Sequence, residues 1–407
     1  MFRMVLCGAL ALLLASPSTL LAKDWRVMIQ GASADLGETP LVVELKTIKP
    51  PVGSYTLRLA NEAGLVPARV FEDDGKTYIG FVLPQLKARH LATGRLEGPS
   101  PGASGDSGIG LHREGANVRV TLDGQAFTEY IADFPSKPYY FPVLGPTGAP
   151  FTRAYPMKQV EGEDKDHPHQ RSFWFTHGDV NGYDFWASDP LNRPNPKFGT
   201  IKETAKKSLI EGPVGLIRTT DDWLGPDGKK VCEDERVVRF YATREVRIID
   251  VDVTIKATAG PVTFGDTKEG MFGLRIASSM DVKRKQGGRI INAEGITDTA
   301  AWGKPSKWVD YTGPVAGQIV GIAILNHPDS FRYPTTWHVR DYGLFAANPF
   351  GWHDFGLKRS GTYTLPEGQS ITFRYRVLLH KGATESARLA EAFEAYASPP
   401  QVEIQAD

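Results

Sequence analysis

Residues 237–256 read V-V-R-F-Y-A-T-R-E-V-R-I-I-D-V-D-V-T-I-K. Apolar residues there alternate with Arg, Asp and Thr over most of the length. Successive side chains of a strand point to opposite faces, whereas a helix repeats every ~3.6 residues. The alternation predicts long antiparallel strands with one core face and one wet face. Shorter β-rich runs lie at 40–46, 54–59, 65–71 and 77–83, then at 118–122, 127–131, 139–144, 214–219, 273–277, 317–325 and 371–379. Turn chemistry such as Pro51-Val52-Gly53 and Asp73-Asp74-Gly75 separates the early ones. Residues 384–396, where Ala and Glu mix with spaced Leu and Phe, read as a helix with Thr384 as its N-cap. The residues describe an all-β chain of sandwich type with a C-terminal helix.

Residues 1–22 are expected to be a secretory signal. Arg3 opens it, 5–15 are almost wholly apolar, and Ala22 offers a small residue at the cleavage point. A small N-terminal β domain is expected over 23–97, a Gly/Ser/Pro-rich linker or loop over 98–117, and the main β domain over 118–398. Cleavage would remove Cys7 and leave Cys232 alone, so the mature chain relies on its core rather than on disulfides. The expected setting is periplasmic or extracellular. The chain carries 47 basic and 47 acidic residues. No basic block points to nucleic acid, no later apolar run has the length of a membrane span, and no required protein partner is evident. G-x-S-x-G, H-E-x-x-H, P-loop and dinucleotide fingerprints are absent from the sequence, which removes several common enzyme classes.

Three segments concentrate chemistry. The first is 166–186, D-H-P-H-Q-R-S-F-W-F-T-H-G-D-V-N-G-Y-D-F-W, with His167, His169 and His177 among Arg171, Asp179, Asn181 and Asp184. In an extended backbone His167 and His169 would share a face. They could then hold a divalent metal with His177 as a third ligand, or do acid/base work on a polar substrate. Trp174 could stack on a sugar or pack in the core, and Asn181 could be a ligand or a turn-maker. The second segment, 337–354, holds Trp337, His338, Arg340, Asp341, Asn348 and His353. His338 and Arg340, two apart, would aim at one face, a pair suited to an oxygen-rich substrate. In the third, 265–273, Glu269 is the best general-base candidate, with His169 or His338 as its acid partner. Arg153 could clamp an anion or hydroxyl.

The quoted segments, with E-G-M-F-G-L-R and W-H-V-R-D-Y-G-L-F-A-A-N-P-F-G, resemble the bacterial DUF6807 family over roughly 120–395. Automatic labels often call that family a methane oxygenase. The resemblance implies instead a secreted protein associated with carbohydrate breakdown. Family members often read H-P-H-H-R where this chain has Gln170, which weakens a histidine-rich metal cage. The β-rich pattern is also similar to galactose-mutarotase-like proteins. That similarity implies a large antiparallel β-supersandwich whose concave sheet acts on sugars through a His and a Glu.

The reading is a secreted carbohydrate-active enzyme, glycosidase- or lyase-like, acting on an oligosaccharide or glycoside by His/Glu chemistry. Its catalytic candidates are His169, His177, Glu269 and His338. Its substrate-binding candidates are Arg153, Arg171, Trp174, Asn181, Trp337, Arg340, Asp341 and His353. Asp341 or Asp184 could also complement Glu269 as a second carboxylate. No cofactor is expected, although a divalent metal is possible. One alternative is a non-catalytic carbohydrate-binding protein, in which no His/Glu pair meets. The other is a metal-dependent enzyme, in which His167 or His169 converges with His177 and a distant ligand.

Overall fold

The alternating stretch folds as a hairpin. In the computed structural model, which describes residues 25–32, 34–60, 64–100 and 108–406, the strands Lys230–Tyr241 and Arg247–Lys256 pair antiparallel with Phe240 opposite Ile249. The expected signal, 1–22, lies outside the described residues. The hairpin is the middle of an eight-stranded antiparallel sheet. Its order is Thr200–Ile210, Val214–Leu224, Lys230–Tyr241, Arg247–Lys256, Ser370–Lys381, Gln318–Asn326, Trp308–Val315, Arg289–Asn292.

A second eight-stranded antiparallel sheet faces it. Its order is Trp337–Val339, Leu344–Ala347, Gly270–Arg275, Phe173–His177, Tyr139–Tyr140, Gln125–Ile131, Asn117–Leu122, Ile109–Glu114. Aromatic rings from both sheets interlock in the shared core. Phe272 stacks on Tyr375 at 4.9 Å, and Phe127 meets Phe240 edge-on at 5.6 Å. The expected antiparallel all-β sandwich is therefore the fold.

A seven-stranded sheet built from residues 25–100 has its own core around Val27, Leu57, Val70 and Phe81. Its last strand, Gln401–Ala406, comes from the far end of the chain and pairs along Trp25–Gln30. The sheet is tied to the sandwich by Asp73, whose buried carboxylate takes both Nε and Nη2 of Arg218.

Four details differ from the sequence expectations. The segment 98–117 contributes a sandwich strand, Ile109–Glu114, hydrogen-bonded to Asn117–Leu122. The aromatic run 139–144 is a strand only at Tyr139–Tyr140, because Pro142 has no N–H for a ladder. The C-terminal α-helix is Leu389–Ala397, preceded by a short 3-10 turn at Thr384–Ser386. Arg388, at φ 49°, breaks continuity between them, so Thr384 caps no α-helix. Finally, the polar face of the long hairpin is largely covered. Arg376 holds Asp250 through two bonds of 2.6 and 2.8 Å, and its guanidinium lies 4.5 Å from the Tyr396 ring of the helix.

Candidate functional site

The outer face of the second sheet carries a row of residues in register: Tyr139, Trp174, Gly273, Ala346 and His338. The two small residues in the middle leave room for a large neighbour. Trp174 fills it; a Cβ on Gly273 would stand 2.8 Å from its indole. Trp186, in the segment after strand Phe173–His177, closes over Trp174 at 5.2 Å, edge to face. Trp174 is thus core packing rather than a sugar platform. Trp337 points into the sandwich interior, fully buried, and donates its Nε1–H to Ser306 O at 3.0 Å.

Buried cations brace the loop that carries the histidines. Arg153 donates to the Asp166 carboxylate and to the carbonyls of Tyr155, Asp164 and His167. Arg275 donates to Asp166 Oδ1 at 2.8 Å and to Gln170 Oε1. Burial alone would raise the Asp166 carboxyl. The His167 hydrogen bond and the Arg275 and Arg153 charges overcome that and hold it well below the ordinary carboxylate range. Arg171 is committed elsewhere: it grips Asp189 with bonds of 2.6 and 3.1 Å and covers the Phe134 ring at 3.9 Å. Arg153 and Arg171, expected to bind substrate, are therefore occupied by the protein itself.

On this support sits an open polar cluster. His167 (φ 44°) is turned rather than extended, yet its ring still meets His169 edge-on at 5.7 Å. It stacks on Tyr342 at 5.3 Å with planes 6° apart, and its Nδ1 meets Asp166 Oδ2 at 2.7 Å. The His169 Nδ1 faces the amide of Asn192 at 3.1 Å. Burial, then the charge of Lys137, pushes the His169 imidazole down to about 3.

His338 is buried, and its Nδ1 accepts the Trp302 indole N–H at 2.9 Å. Burial, followed by the charges of Arg340, Lys268 and His167, pushes it to about 3 as well. Burial raises the Glu269 carboxyl, while Lys268 and His167 oppose that and Asp184 adds to it. Arg340 lies over the rings of Trp302 at 5.5 Å and Tyr342 at 5.6 Å. His167 meets the His169 ring and acts electrostatically on both Glu269 and His338, while His338, in strand Trp337–Val339, and Arg340, just beyond its end, both meet Trp302.

His177 is not part of this cluster. Its ring is fully buried against Phe264 and Phe350, and its Nε2 bonds Gly265 O at 2.9 Å. Burial pushes it to about 4, and a Cβ on Gly270 would overlap its Nδ1. Asn181 is a turn-maker: its side chain accepts from Thr263 N and donates to Pro261 O. His353 is exposed in another loop, where its backbone N–H donates to Asp266. Asp341 contributes its backbone carbonyl to Lys283 N and the Tyr311 hydroxyl, and its side chain forms no ion pair with Arg340. With His177 in the core, the three-histidine set of the metal alternative does not converge. Among the described residues no group of three or more His, Cys, Asp or Glu is placed to hold a metal ion.

Sequence reasoning left Tyr342, Trp302, Lys268 and Arg275 unassigned. Tyr342, Lys268 and Arg275 lay inside the named segments and motifs, Arg275 as the last residue of E-G-M-F-G-L-R; Trp302 stood outside them. A cavity of about 410 Å³ lies elsewhere, between the N-terminal sheet, the helix and the first sandwich sheet, lined by apolar residues such as Ile248, Leu378 and Leu389.

A sequence model of a family of unknown function, DUF6807, matches residues 117–394. No curated protein matches the chain. Two solved structures are similar to it. One is a protein in the glycosyl hydrolase family 38 from Enterococcus faecalis, at TM-score 0.43 and 9% identity, covering 94% of this chain and 47% of that one. The other is an alpha-mannosidase from Enterococcus faecalis V583, at TM-score 0.39 and 11% identity, covering 94% and 46%. The chain spans about half the length of each.

Proposed function

We propose that this chain, which belongs to the DUF6807 family, is a carbohydrate-active enzyme that cleaves or modifies a glycoside at the His167–His169–Glu269–His338–Arg340 cluster. One observation carries this reading: a neutral imidazole of fixed tautomer and a carboxyl of raised pKa share one polar site. Because His338 Nδ1 accepts a hydrogen bond, the imidazole proton lies on Nε2, which has no hydrogen-bond partner among the described residues. A neutral imidazole N–H is a good donor to a sugar oxygen and a poor acid. The proton carrier is then Glu269, whose raised pKa brings its two forms closer in abundance near neutrality. This reverses the sequence-based assignment, in which a histidine gives up the proton. A periplasmic or extracellular site of action belongs to the same proposal.

The test is a screen of bacterial and plant glycans with product analysis, run beside Glu269→Gln. Turnover that is lost in the variant supports the reading, and unchanged turnover removes Glu269 from its role. A second reading, binding without chemistry, draws on the neutrality of both His169 and His338, which leaves few groups able to move a proton. Saturable binding with no product from any glycan would favour it.

A further inference from the structure

The arginines around the site fall into two kinds. Arg153, Arg171 and Arg275 are buried, and each is matched to a carboxylate, Asp166 or Asp189. Arg340 is different. It is half-buried just beyond the strand that carries His338, and among the described residues it makes no ion pair and its guanidinium donates to no protein acceptor. Its contacts are with the π faces of Trp302 and Tyr342, which hold the group in place without using its N–H donors.

The surroundings do not supply the missing charge. Glu269, the carboxylate of the site, faces Lys268 at 3.5 Å and makes no ion pair with Arg340. The neighbouring Asp166 is already shared between two arginines. A partly desolvated guanidinium with free N–H donors and no carboxylate of its own is matched best by a planar anion that arrives with the ligand.

We infer that the glycan carries carboxylates and that Arg340 binds one of them, so that the substrate class is a uronate-containing oligosaccharide. The inference rests on the carbohydrate reading above and narrows it. The fork of the guanidinium fits a sugar carboxylate through two parallel hydrogen bonds, and the adjacent His338 Nε2–H is free to take a ring or glycosidic oxygen of the same residue.

The experiment uses the full-length protein and calorimetric binding. Short oligomers of galacturonate, glucuronate, mannuronate and guluronate are each compared with their carboxyl-reduced neutral counterparts. At least one uronate oligomer should bind about 10- to 100-fold more tightly than its reduced partner, as expected for charge-assisted hydrogen bonds. Arg340→Gln should erase most of that ratio whatever it does to the affinity for the neutral member, with the melting temperature nearly unchanged. Arg340→Lys, which keeps the charge but not the fork, should restore only part of it. Equal binding of both members of every pair would overturn the inference and leave the carbohydrate reading standing. So would binding confined to neutral glycans. Binding of no glycan at all would remove both. If Arg340→Gln failed to fold, the comparison of acidic and reduced oligomers on the unaltered protein would still decide.

Discussion

The Trp302 indole N–H donates to His338 Nδ1 at 2.9 Å, and this one bond fixes which edge of the imidazole is free. With Nδ1 occupied as an acceptor, the neutral ring carries its proton on Nε2. Burial and the basic groups around it keep the ring uncharged down to about 3. Nitrogen-15 NMR should therefore show an unprotonated Nδ1 and a protonated Nε2 for His338, unchanged between pH 8 and about 5. A titration centred near the ordinary histidine value would refute this assignment. Trp302→Phe keeps an aromatic ring but removes the donor. It should mix the two tautomers and weaken ligand binding or turnover by about 5- to 10-fold, the scale of one hydrogen bond.

Glu269 has the opposite electrostatic problem. Burial raises its pKa, and Lys268 pulls it back. The limb of the kcat/KM profile that Glu269 controls should have its midpoint above the ordinary glutamate value of 4.5. Glu269→Gln should remove that limb and lower kcat by about 10²- to 10⁴-fold, the usual contribution of a positioned proton carrier. Lys268→Met, by deleting the charge that favours the carboxylate, should move the midpoint further up. A downward move would show that Lys268 does not act on Glu269.

What could be read from the sequence follows from what each side chain depends on. His338 and Arg340 meet the same Trp302 ring although Arg340 lies just past the end of strand Trp337–Val339, and their closeness in the chain is what the sequence shows. Glu269 stands out in a glycine-bounded loop for an equally local reason. Trp174, Trp337 and His177 look just as functional in the sequence, yet burial decides them. Trp174 is covered by Trp186, Trp337 faces the opposite sheet, and the His177 ring is met by Gly265, Phe264 and Phe350. Those partners lie at separations along the chain that no spacing rule connects. The polar face of the long hairpin is hidden for the same reason, because the helix that covers it lies near the other end of the chain. Arg171 belongs with these, since its fate depends on Asp189.

Arg171 and Asp189 form a bidentate pair in which both side chains are almost wholly buried, at 6% and 0% exposure. Removing one partner leaves the other as an uncompensated buried charge. Asp189→Asn should therefore destabilise the fold by about 3–5 kcal/mol, read as a lower urea midpoint. Ligand affinity of the folded fraction should stay within about twofold, because neither group reaches the site and only the fold is at stake. If stability were kept and affinity fell instead, Arg171 would return to the list of substrate-binding residues.

His380 gives a pH signature of the opposite sign from the site histidines. Its Nε2 meets Asp310 Oδ1 at 3.1 Å and its Nδ1 meets Lys381 O at 3.2 Å. Both partners are acceptors, so the ring that satisfies both is the imidazolium. Gly321 leaves the space for it, since a Cβ there would overlap the ring. Burial disfavours the charge, but the Asp310 hydrogen bond and carboxylate overcome that and raise the pKa above 6.5. A folded pKa above the unfolded one gives a stabilisation that is complete below about pH 6.5 and is lost as pH rises through the folded value. The stability difference between the unaltered protein and His380→Gln should thus be largest near pH 6 and shrink above about pH 6.5 in chemical denaturation series. A difference that grows with pH would mean that the buried ring is neutral and that Asp310 is held by something else.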